Sequence, residues 1–251
     1  MTRFPIGLDR RLSLATAGML LSLSVLPAMA AEFSVGRAEV FFPTDDWREV
    51  ALPDQGKAFG GDFDGVIESE TKLFIQVPTT ERAGALVLIR SSASGMGRGT
   101  MNYSGKCEPS EYFFAEGSAG VRSRAAQCLV VYPAYTTESV MSKLAPREVQ
   151  DWLRASRIQL PNTMATIQSR LAVGTGTFLD VRVFLTPQAG LAIDDTPDLK
   201  LPSGVLPQHV RWGRQLNEAV RSSVYSISGK LRIPPMDIQP HKLVLNLNPG
   251  N

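Results

Sequence analysis

Hydrophobic and polar positions follow different periods along this chain, and each period predicts its own element. From Leu12 to Leu26 there is no charge, and most residues are Leu, Ala, Val or Met. Arg3, Arg10 and Arg11, offset by Asp9, precede this run, and Pro27 and the small-x-small triplet Ala28-Met29-Ala30 follow it. A positive end, an apolar core, a helix breaker and small residues in that order form the pattern of a cleavable signal peptide. The apolar run is shorter than the roughly 20 residues a permanent membrane helix needs. The expectation is therefore a signal peptide over residues 1–30, cleaved after Ala30, and a single globular domain over 31–251. Arg10-Arg11 also fits twin-arginine export, but Ser13 stands where that signal carries Phe, which favours the general secretory route.

Short apolar or alternating runs then predict strands. Lys72–Val77 stops at Pro78, Ala85–Arg90 is a continuous apolar run before its arginine, and Thr100–Cys107 alternates after the Gly95–Gly99 loop. Cys128–Tyr132 is expected to end at Pro133. Ala165–Val173 and Thr177–Leu185 flank Gly174-Thr175-Gly176 and predict a hairpin. In the second of these, Leu179, Val181, Val183 and Leu185 share one face, while Asp180, Arg182 and Phe184 share the other. A last strand is expected over Lys242–Leu247.

Two helices are expected in the C-terminal half. Pro146 suits a first helical turn, with Val149, Trp152 and Leu153 on one face and Pro161 beyond. The second begins at Pro207 and places Trp212, Leu216, Ala219, Val220, Ser223, Val224 and Ile227 on one stripe. Arg211, Arg214, Glu218 and Arg221 lie away from that stripe, and Gly229 is read as its left-handed end. Gly213 inside it costs about 1 kcal/mol relative to Ala, so the helix must depend on packing. Strands joined by turns, with helices placed late, predict an α+β fold with a mainly antiparallel sheet.

Composition narrows the function classes. Removing residues 1–30 removes three basic residues and one acidic residue, which leaves 23 of each and no net charge. A balanced chain lacks the basic surface that captures nucleic acid. No later stretch is apolar for long enough to span a bilayer, so no integral membrane segment is expected after cleavage. Both cysteines, Cys107 and Cys128, follow the export signal, and in an oxidising compartment such a pair is expected as a disulfide.

Motifs that could carry chemistry are sparse. His209 and His241 are the two histidines, and either could serve as a general base; the plainer reading makes them surface or boundary residues. Ser69-Glu70-Thr71-Lys72 has the Ser-x-x-Lys spelling of penicillin-interacting enzymes but runs into a predicted strand, where residues three apart face opposite ways. Gly95–Gly99 lacks the helix start and Lys-Ser/Thr pair of a phosphate loop. Asp62-Phe63-Asp64-Gly65 starts like a calcium loop, but its twelfth position is Leu73. No cofactor and no metal are expected. The first functional reading is a non-catalytic periplasmic or extracellular protein that binds an envelope protein or a small ligand. The second is an exported hydrolase with His209 or His241 as base.

Amino-terminal sequencing of the protein recovered from its host's envelope or medium should begin at Ala31; a chain still starting at Met1 would overturn the export reading.

Overall fold

The two strands that flank Gly174-Thr175-Gly176 pair from Ala165–Leu185 to Val173–Thr177 near the centre of the large sheet. The computed structural model describes residues 31–50, 68–77, 83–93, 107–117, 125–144, 151–153, 155–174, 176–187 and 200–236. The expected signal peptide, the expected strand residues 100–106 and the expected strand 242–247 lie outside them. In chain order the elements are β1 (Glu32–Val35), β2 (Ala38–Phe41), β3 (Trp47–Val50), β4 (Ser69–Gln76), β5 (Ala85–Ser92), β6 (Phe114–Gly117) and β7 (Ala125–Thr136). There follow α1 (Thr137–Leu144), β8 (Thr163–Val173), β9 (Thr177–Leu185), α2 (Pro207–Tyr225) and β10 (Lys230–Arg232). The chain has a sheet-dominated α+β fold.

β8 and β9 form the expected hairpin, closing at the Val173–Thr177 pair with Gly176 at φ 85°. They sit inside a seven-stranded sheet of order β3-β4-β5-β9-β8-β7-β6, antiparallel at every pairing. β7 does not stop at Pro133 as expected. It continues to Thr136 with a register shift between Tyr132 and Tyr135, because proline lacks the N–H that one ladder bond needs and the strand bulges past it.

One face of this sheet is covered by two elements side by side. α2 lies over β7, β8 and β9, burying Val210, Trp212, Leu216, Val220 and Val224 against Leu129, Val131, Ile167, Leu171, Val181 and Val183. Beside it, β1, β2 and β10 form a three-stranded sheet in which β10 runs parallel to β2. This small sheet meets β3 and β4 through an aromatic cluster: Phe42 stacks on Trp47 at 4.2 Å and Phe33 meets Phe74 at 4.8 Å. Gly213 is explained by distance. A Cβ there would lie 2.9 Å from Leu129 Cδ1 and 3.1 Å from Ile167 Cγ2, so helix propensity is given up for close approach.

α2 ends earlier than its stripe suggested. Ser226 is already extended and donates its N–H to the Ser222 and Ser223 carbonyls, which leaves Ile227 fully exposed. Gly229 does have a left-handed φ of 64°, but it belongs to the turn into β10. A side chain there would strike the Arg37 carbonyl at 2.4 Å.

On the opposite face, Leu73, Ile75, Leu86, Met164 and Phe184 form a second cluster with Val140, Met141 and Leu153. The first two of those covering residues belong to α1, a helix the Pro146 signal did not locate; residues 151–153 and 155 are helical, as expected. The start signal of α1 was present: Thr136 Oγ1 accepts the Ser139 N–H at 3.4 Å, with Glu138 in the first turn, a side-chain cap of the usual kind. Cys107 and Cys128 form the expected disulfide, with Cα atoms 5.6 Å apart, fixing the start of the β6 segment to β7.

Gly213→Ala should lower stability despite its better helix propensity. Overpacking of about 1–3 kcal/mol against a gain of about 1 predicts a Tm several degrees lower by calorimetry; a higher Tm would show that the helix is not seated so closely. Replacing both cysteines with Ser should destabilise the chain by about 3 kcal/mol in denaturant titrations, and the untreated protein should resist alkylation until reduced.

Candidate functional site

Sheet register assembles a polar cluster on the face opposite α2. Thr71, Arg90, Asp180, Arg170 and Cys128 stand directly opposite one another on β4, β5, β9, β8 and β7. The next row holds Leu88, Arg182, Gln168 and Val130. Because side chains alternate across a strand, paired residues share one face. That face is therefore divided: its lower rows are the apolar cluster under α1, and its upper rows carry Arg90, Asp180, Arg170, Arg182 and Gln168.

Asp180 is the hub. Its side chain keeps only 10% of its surface exposed, with Arg170 Nε at 3.3 Å and Arg182 Nη2 at 3.4 Å. Gln168 Nε2 donates to both carboxylate oxygens, at 2.8 and 3.1 Å. Desolvating a carboxylate costs several kcal/mol unless charge partners and hydrogen bonds replace water, and here both are supplied from adjacent strands. Arg90 stands directly across from Asp180 in the β5–β9 register; its Nε donates to Ser69 Oγ at 3.2 Å and its guanidinium lies over the Phe178 ring at 5.6 Å. Arg182 differs from Arg170 in access, with 35% of its side chain exposed against 16%.

The other residues singled out in the sequence do not converge on this cluster. Ser69 and Lys72 lie on one strand and face opposite sides; Lys72 pairs with Glu49 and Glu70. His209 is on the α2 side of the sheet. It is not a surface or boundary residue but 1% exposed, and neither ring nitrogen has a hydrogen-bond partner. Burial alone pushes its pKa down to about 4. His241 lies outside the described residues, as do Gly95–Gly99 and residues 62–67 of the calcium-like segment. Among the described residues no group of three or more His, Cys, Asp or Glu side chains could hold a metal ion. None of the described helices is long and apolar enough to cross a membrane.

The outward face of α2 is tied down rather than left as a basic stripe. Arg214 forks onto Glu116 of β6 with bonds of 2.8 to 3.1 Å, and that hydrogen bonding raises its pKa further. Glu218 is left to Arg221 at 3.4 Å. Sequence alternation had already placed Asp180 and Arg182 on one face of β9. Arg90 and Arg170 were missed, although a single charge closing an apolar run such as Ala85–Ile89 signals a strand that enters polar surroundings. No protein-family model, no curated protein and no solved structure matches this chain.

Proposed function

We propose that this chain is an exported, non-catalytic protein of the cell envelope that binds a partner or small ligand through acidic groups at the arginine-bearing end of the large sheet. The signal-peptide pattern of residues 1–30 supports export, and the disulfide fits an oxidising compartment. The observation that carries the binding reading is Arg182. Its guanidinium places one nitrogen on Asp180 at 3.4 Å while 35% of the side chain stays exposed. A guanidinium offers five donors in a rigid fork suited to carboxylate or phosphate oxygens. Its strand is bonded on both sides, to β5 and β8, so the fork is held on a rigid base rather than on a loop.

A hydrogen bond to a charged group contributes about 1.5–3 kcal/mol. Arg182→Glu should therefore reduce recovery of a bound envelope component by tenfold or more in cross-linked pull-downs from intact host cells. Arg221→Glu, on the outer side of α2, should leave recovery unchanged; because a second carboxylate beside Asp180 lowers the melting temperature of Arg182→Glu, recovery is compared below its transition, and Arg182→Gln, without the added charge, should lose recovery in the same direction. Equal recovery with Arg182→Glu, or equal loss with Arg221→Glu, would reject this face as the binding surface.

A further inference from the structure

His209 is a buried ionisable group that the binding reading does not use, and among the described residues nothing around it offers a partner for a charged ring. It is the third residue of α2, 1% exposed, with both ring nitrogens unpartnered. The strands beneath α2 present Gln127, Leu129 and Val131 from β7, Ala165, Ile167, Ser169 and Leu171 from β8, Leu179, Val181, Val183 and Leu185 from β9, and Leu231 from β10. No ionisable side chain is among them. The carboxylate of β6 on that side, Glu116, is bound by Arg214. Around the helix start itself, Lys200 is exposed and Arg211 is a further positive charge on α2, so neither can stabilise an imidazolium.

The helix start adds two more reasons. Unpaired N–H groups give a helix N-terminus a partial positive charge, which repels a cation. The first turn of α2 is also weakly fastened. Leu206 occupies the cap position without a side-chain cap bond, and no acidic residue stands in that turn. What holds it are the His209 and Val210 N–H bonds to the Leu206 carbonyl, at 3.0 and 3.3 Å, and the burial of Val205 and Val210.

We infer that His209 is an acid-sensitive latch: protonating it frees the first turn of α2, residues Leu206–Val210, from the sheet while the strands beneath stay folded. Unwinding one uncapped turn hydrates both ring nitrogens without disturbing the Gly213 contact further along the helix. The sign follows from the lowered pKa. The native form binds fewer protons than the opened form between about 6.5 and about 4, so closure is complete above that window and weakens as pH falls through it. An exported domain meets the external pH directly, so the device would respond to acidification outside the cytoplasm.

Hydrogen exchange followed by mass spectrometry on the disulfide-bonded protein tests this, at several pH values from 7 to 4 with intrinsic exchange rates divided out. The amides of residues 206–212 should lose protection by up to about tenfold per pH unit below 6.5, while β8 and β9 keep theirs. In His209→Phe the loss should disappear, and His209→Gln serves if the phenylalanine does not fit. Protection that ignores pH, the same loss in the variants, or simultaneous loss across β8 and β9 would each overturn the latch. If neither variant folds, the wild-type imidazole titration by NMR decides: a midpoint near 4 accompanied by changes at Leu206–Val210 supports it, and a midpoint near 6.5 rejects it.

Discussion

The organisation of this protein depends on how closely α2 lies on the large sheet. At Gly213 the helix backbone comes so near to Leu129 and Ile167 that a methyl group would overlap their side chains. That contact sets the rest of the helix in place. On one side of it, Trp212 reaches the Pro235 carbonyl with its indole N–H at 3.0 Å, fixing the segment after β10. On the other, Asn217 is held by Gln127 and Ser169 at 3.2 and 2.8 Å. Nearly two turns further, Ser223 bonds the Gly229 carbonyl at 2.8 Å and so positions the turn into β10. The same close seating carries His209 into an apolar environment, although none of the described residues at the helix start offers a partner for its ring.

The two faces of the sheet solve different problems. The α2 face is apolar over the central strands, and burial at about 25 cal/mol per Å² supplies its stability. The opposite face changes character along each strand, from Met164 to Arg170 on β8 and from Phe184 to Asp180 on β9. Buried charges of this kind contribute little net stability, because desolvation offsets their attraction. Their value lies in fixing positions: Asp180 can satisfy its lone pairs only when β8 and β9 are in this register, bringing Gln168, Arg170 and Arg182 together. A slip by one residue would send every one of these groups into the apolar layer under α2.

Long-range pairing also redistributes charge on the surface. Helix spacing alone would assign Glu218 to both Arg214 and Arg221, since each is one turn away. Arg214 instead forks onto Glu116, 98 positions earlier in the chain, and its guanidinium lies over the Phe114 ring at 5.9 Å. A bidentate bond to a carboxylate on a neighbouring strand is geometrically fixed and outcompetes a flexible pair along one helix. The result ties the edge strand β6 to α2, next to the disulfide that joins the same region to β7.

Local order in the sequence was enough to specify the β8–β9 hairpin, the cores of β4, β5 and β7, the start of α2 and the cysteine pair. In each case the determining signal lies within a few residues: alternation or a short apolar run bounded by turn residues, a proline at a helix start, or two thiols alone in the chain. It also placed Asp180 and Arg182 on a common strand face. The short strands β1, β2, β3, β6 and β10 were not legible, because three or four residues hold too little pattern to display a period. α1 was obscured because its cap, Thr136, also ends a strand. The passage of β7 through Pro133, the burial of His209 and the meeting of Arg90 and Arg170 around Asp180 were decided only by tertiary structure. Each depends on which strand or helix lies alongside, a relation between distant segments that local periodicity does not encode.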